Sequence, residues 1–69
     1  MKYNVGDKVW AEVEDENGQG LYTGPATINY IFKELSGDNC RYEVRFPIEV
    51  KDSYTTYPIR EDEIKYAIT

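Results

Sequence analysis

The chain has 69 residues, thirteen acidic and eight basic, and a net charge of −5. That length makes one domain, residues 1–69, and a domain so small buries only about 60% of the surface its unfolded chain exposes, which leaves little room for a deep active site. The acidic balance disfavours a phosphate backbone as ligand, and one cysteine with no histidine excludes an internal disulfide, a Cys–His nucleophile pair and a closed zinc site.

Residues 8–14, KVWAEVE, alternate cleanly. Val9, Ala11 and Val13 share one face, and Lys8, Trp10, Glu12 and Glu14 share the other, as in a half-buried strand. DENGQG follows as a hairpin turn, because Asn17 and Gly18 both tolerate the positive φ of a tight turn. It imitates a calcium loop, but its twelfth position is Ala26, where a bidentate Glu is needed. Residues 22–33 form a second, long strand. Gly24, Ala26, Ile28, Tyr30 and Phe32 lie on one face. Gly24-Pro25 predicts a bend or bulge. Such a strand suits a small barrel in which one strand is shared by two sheets.

ELSGDN reads as a loop. CRYEVRF, residues 40–46, alternates again, with Cys40, Tyr42, Val44 and Phe46 inward. Cys40 reads as a small residue at a strand start. PIEVKDS begins with Pro47 and is expected to leave the sheet. Residues 54–59 are a short strand ended by Pro58, REDEI a single 3₁₀ turn, and KYAIT a last short strand. Aromatic residues make up 14% of the chain and helical periodicity is nowhere sustained, so the fold class is all-β. Five strands in one small domain suit a small barrel that hides most of its edges.

Val5-Gly6, Val9, Ala11, the hairpin from Asp15 to Gly20, Leu21-Tyr22 and Ile28 together resemble the opening of a Tudor-type domain of the SH3-like barrel superfamily. YEVRF is similar to that family's third strand, and YPIREDEI to its final strand and 3₁₀ turn. The resemblance spans about residues 4–66. It implies a five-stranded SH3-like barrel with one 3₁₀ turn before the last strand. The family's methyl-ammonium cage would draw its walls from Tyr22, Phe46 and Tyr54, with Glu49 or Asp52 adding charge. Leu21-Tyr22 stands where the family has two aromatics, and FPIEVKDSY where it has Asp-Tyr-Gly. The resemblance therefore bears on the fold rather than on methyl reading.

Trp10 alternates with core residues and is expected to face outward, as an interface anchor. The alternative has it covered by the N-terminal segment or by the PIEVKDS loop. Glu12 and Glu14 read as a solvated acidic face, since paired catalytic carboxylates would flank a cleft. The residues 60–63, REDE, read as surface and turn. No phosphate loop, catalytic triad, metal motif or cofactor is implied.

The expected function is a non-enzymatic protein-interaction module, a stand-alone adaptor or inhibitor whose size and acidity suit a phage or mobile element. Its partner is a basic or apolar protein segment, met by Trp10, Tyr22, Phe46, Tyr54, Glu12 and Glu14. A nucleic-acid-binding barrel is the alternative, with Arg41, Arg45 and Lys33 for charge and Tyr42 or Tyr30 for stacking. A further alternative is a structural homo-oligomer that pairs along an exposed strand edge. No signal peptide or apolar run of membrane length is visible, and a lone cysteine suits a reducing compartment, so a cytoplasmic location is expected.

Overall fold

The computed structural model describes residues 2–36, 39–50 and 54–68. Five antiparallel strands make one sheet: β1 (Lys8–Glu14), β2 (Gly20–Ser36), β3 (Cys40–Val50), β4 (Tyr54–Ile59) and β5 (Ile64–Ala67). A 3₁₀ turn, Glu61–Glu63, stands between β4 and β5. The strand order is β4-β3-β2-β1-β5. The all-β class, the strand count and the 3₁₀ turn agree with the sequence.

The order requires the sheet to curl. β4 and β5 are its two edges, four strand spacings apart, or roughly 19 Å if the sheet were flat. Only residues 60–63 connect them. With three of those residues wound at about 2 Å each, the link reaches roughly 13 Å. The edges are therefore drawn together over one face, and that face is the core. It holds Val9, Ala11 and Val13 from β1, Ala26 and Ile28 from β2, and Tyr42, Val44, Phe46 and Val50 from β3, closed by Ile59 of β4 and Ile64 of β5. Tyr3 joins them, its ring edge-on to Tyr42 at 5.8 Å.

β2 makes the curl possible because its two halves serve different neighbours. Residues from Gly20 to Thr27 pair with β1, and residues from Thr27 to Ser36 pair with β3. Ile28 lies at the handover. Its N–H donates to Asp7 O at 2.9 Å and its carbonyl accepts from Gly6 N–H at 2.8 Å. Gly6 has φ +95°, which brings the entering chain onto β2.

Several boundaries differ from those read in the sequence. β2 runs from Gly20 to Ser36, longer at both ends than expected. Gly24-Pro25 is no bulge, since both residues sit in register with Ala11 and Trp10. Pro25 is tolerated because that half of β2 has no β3 partner to receive an N–H. The irregularity lies between Ile28 and Tyr30 instead. It shifts the facing by one residue. Ile31 then packs on the core and Tyr30 is exposed, the reverse of simple alternation.

β3 does not leave the sheet at Pro47 but continues to Val50. The register is broken between Arg45 and Val50, so no regular ladder position is asked of Pro47. Pro58 does not end β4; it pairs with Glu43 on the edge strand, where a missing donor is tolerated. In the first hairpin only Gly18 takes positive φ, not Asn17. Asp15 organises that turn, its Oδ1 accepting from Asn17 N–H and Gln19 N–H at 2.9 Å each. Asp52, Thr69 and the centre of the ELSGDN loop lie outside the described residues.

Glu63 is the clearest departure. It reads as surface in sequence, yet it is only 5% exposed. Its Oε1 accepts from Arg60 N–H at 2.8 Å, and its Oε2 from Glu14 N–H at 3.0 Å. Arg60 directly follows β4 and Glu14 is the last residue of β1. One carboxylate thus joins the turn to both, and its burial is offset by two charge-assisted hydrogen bonds.

Candidate functional site

The convex side of β1 carries Lys8, Trp10, Glu12 and Glu14, while Val9, Ala11 and Val13 are buried beneath. Residues directly opposed in an antiparallel pair lie on the same face. Trp10 is opposed by Tyr66 of β5 on one side and by Pro25 of β2 on the other. The Trp10 and Tyr66 rings stack with centroids 6.0 Å apart and planes within 4°. Trp10 is half-buried and Tyr66 is 54% exposed. Among the described residues the ring partner of Trp10 is thus Tyr66 of β5. Neither Tyr66 nor Pro25 reads as a binding residue in the sequence. Each becomes visible only when the neighbours of β1 are known.

Beside this row the outer face opens into a shallow cleft of about 250 Å³. Four carboxylates line it, those of Glu12, Glu14, Asp62 and Glu63, against two cations, Arg60 and Lys65. Arg60 Nε meets Asp62 Oδ1 at 3.0 Å, and Lys65 Nζ donates to Asp62 O at 2.9 Å. The hydrogen bond that Arg60 donates to Asp62, then the charge of Glu63, hold its guanidinium above its ordinary value, so it stays charged. With Glu63 bound internally, Glu12 and Glu14 remain as exposed acids on the strand that carries Trp10.

The other expected residues are distributed as follows. Tyr22 is half-buried and its ring tilts against Phe46 at 4.6 Å. Its hydroxyl donates to Pro25 O at 2.6 Å. Burial raises its phenol above the usual value. Phe46 is a core residue, 4% exposed. Tyr54 is exposed, and its ring lies edge-on to Tyr57 at 5.6 Å. Tyr22 and Phe46 are therefore brought together, while Tyr54 makes its ring contact elsewhere. Glu49 is exposed near the end of β3.

Of the residues proposed for nucleic-acid stacking, Tyr42 is fully buried, because it points inward with Val44, and its hydroxyl donates to Glu61 Oε1 at 3.1 Å. It cannot stack on a base. Tyr30 is exposed, with Phe32 edge-on at 5.3 Å. Arg41 spends Nη1 on the carbonyls of Phe32 and Lys33, at 2.9 and 3.1 Å. Arg45 donates Nη2 to Asn29 Oδ1 at 2.8 Å, and Asn29 Nδ2 donates to Glu43 Oε1 at 2.6 Å.

No family model, curated protein or solved structure matches the chain.

Proposed function

We propose that the chain is a small SH3-like barrel, Tudor-like in pattern, that acts as a non-enzymatic protein-interaction module. The strand order, the long shared β2 and the short 3₁₀ link between the edge strands support the barrel. Its partner is a basic, partly apolar segment of another protein. The observation that carries this reading is the Trp10–Tyr66 stack beside an acid-rich cleft. A flat aromatic shelf gives contact area at low entropic cost, and Trp and Tyr are enriched where interfaces concentrate their energy. A Lys or Arg stem can lie on the Trp10 ring while its charge faces Glu12. The net charge of −5 favours the same partner at long range. The lone Cys40 suits work in a reducing compartment such as the cytoplasm.

The test is capture from nuclease-treated lysate by the tagged domain, with Trp10→Ala and Tyr54→Ala variants beside it. A stoichiometric protein lost with Trp10→Ala and kept with Tyr54→Ala supports the reading. Capture indifferent to Trp10→Ala, or nucleic acid alone before nuclease, overturns it. A mass that rises with concentration in the purified domain would favour self-association instead.

A further inference from the structure

Trp10, Glu12 and Glu14 follow one another at every second position of β1, so all three stand on its outer face. From Trp10 to Glu14 is four residues of strand, roughly 13 Å, with Glu12 at the midpoint. One row thus holds the aromatic shelf at one end and two exposed acids in line with it.

The flanks of the row differ in height. Beside Trp10 stand Tyr66 on β5 and Pro25 on β2. Beside Glu12 and Glu14 on β2 stand Thr23 and Gly20. A Cβ added at Gly20 would meet nothing within 4 Å, so the space next to Glu14 is open. Arg60 and Lys65, the cations that line the same cleft, each spend a donor on Asp62. The two carboxylates of β1 therefore border an open lane that leads away from the shelf.

We infer that the partner segment is extended and carries two cations at alternate positions, the first of them two residues from an apolar residue on the Trp10–Tyr66 shelf. In an extended chain, residues two apart share a face at roughly 7 Å, the interval that also separates Glu12 from Glu14 along β1. Each cation then meets one carboxylate. Two cations adjacent in sequence point to opposite sides of an extended chain, and only one of them can reach the row. A helix turns positions two apart away from each other, so it does not present this pattern. The inference rests on the docking reading above and adds the spacing and the conformation of the partner. Net charge attracts any basic segment alike, whereas the register of the row chooses among them.

The experiment titrates the whole domain with two capped peptides of one composition, followed by amide chemical shifts. They are acetyl-Ser-Leu-Ser-Lys-Ser-Lys-Ser-amide and its isomer acetyl-Ser-Leu-Lys-Lys-Ser-Ser-Ser-amide. Their charge is the same, so only the spacing differs. The alternating peptide is expected to bind about twofold to fivefold more tightly, as one additional exposed ion pair allows. It should move the amides of Trp10, Glu12 and Glu14 together. Glu14→Gln should abolish the preference. Gly20→Leu, which changes no charge but fills the space beside Glu14, should do the same. Equal binding of the two peptides around Trp10 overturns this inference and leaves the docking reading standing. A preference that survives both substitutions overturns it as well. If neither peptide moves the Trp10 signals, or if an oligothymidylate binds there more tightly than both, the inference and the docking reading fail together.

Discussion

At Gly24 an added Cβ would lie 2.9 Å from the Tyr22 hydroxyl, and the backbone φ there is +152°. The contact arises because the Tyr22 ring folds over the strand to reach Pro25 O. A side chain at residue 24 would have to displace that ring and adopt a conformation that L-residues disfavour. Gly24→Ala is expected to cost about 1–3 kcal/mol in urea unfolding. Tyr22→Phe, which loses only the hydrogen bond, should cost about 1 kcal/mol. Pairing the two substitutions removes the hydroxyl but leaves the ring carbon Cζ 3.2 Å from the added Cβ and the φ unchanged, so most of the Gly24→Ala cost should persist. Alkali tests the buried phenols. Burial raises Tyr22, and burial together with Glu61 raises Tyr42. In the unfolded chain a tyrosine ionises near pH 10. A group with a raised folded-state pKa contributes stability that is fully present below its unfolded value and is lost as pH rises through the folded one. Unfolding free energy should therefore fall above about pH 10. Tyr42→Phe should make that fall shallower, as followed by denaturant melts across the alkaline range.

The short last strand depends on the residues around the turn that precedes it. β5 has four residues and pairs with β1 alone. Its approach is set by Glu63, which holds the end of β1 and the end of β4 at once. Glu63→Gln would aim an amide NH₂ at one of two backbone donors. The expected cost is about 1–3 kcal/mol, with faster hydrogen exchange in Ile64–Ala67 than in β2. Uniform exchange across the sheet would mean that β5 is held by other contacts. The Trp10–Tyr66 stack is the obvious other contact, and a double-mutant cycle on it should return about 0.5–1.5 kcal/mol of coupling.

These same elements show what the sequence discloses. β1 and the first half of β3 are legible because Val9, Ala11, Val13 and Tyr42, Val44, Phe46 alternate with polar residues. Trp10 is legible as an outward residue for that reason. The irregularity after Ile28 is not, because nothing local marks a place where the strand changes neighbours. The passage of β3 through Pro47 is hidden too, since it depends on where partners are missing. Glu63 reads as one acid among several. Only the meeting of two strand ends makes it an internal acceptor. Tyr66 belongs to the site through its register with Trp10, which is a property of the whole sheet.

At the scale of the molecule, charge and shape act together. The net charge of −5 accompanies an aromatic shelf that stands beside an acid-rich cleft. Attraction of a basic partner by such a field is screened at distances beyond about 10 Å in 0.1 M salt. Raising sodium chloride from roughly 50 to 500 mM should thus weaken binding to the captured protein several-fold, mainly through slower association. Titration calorimetry across that range checks it. Affinity independent of salt would assign the binding to apolar contact alone.

The position of β1 between β2 and β5 bears on how the protein is made. Ile68 N–H donates to Lys8 O at 2.7 Å, so the start of β1 is covered by the residue that follows β5. A ribosome adds about 5–20 residues per second, so β1 waits several seconds with one edge open before its second neighbour emerges. Lys8, Glu12 and Glu14 line that strand meanwhile, and charged residues of this kind discourage wrong pairing between nascent chains. Ribosome-stalled chains that end at residue 63 should be cleaved readily by added protease. Chains in which residues 64–68 have cleared the exit tunnel should resist it.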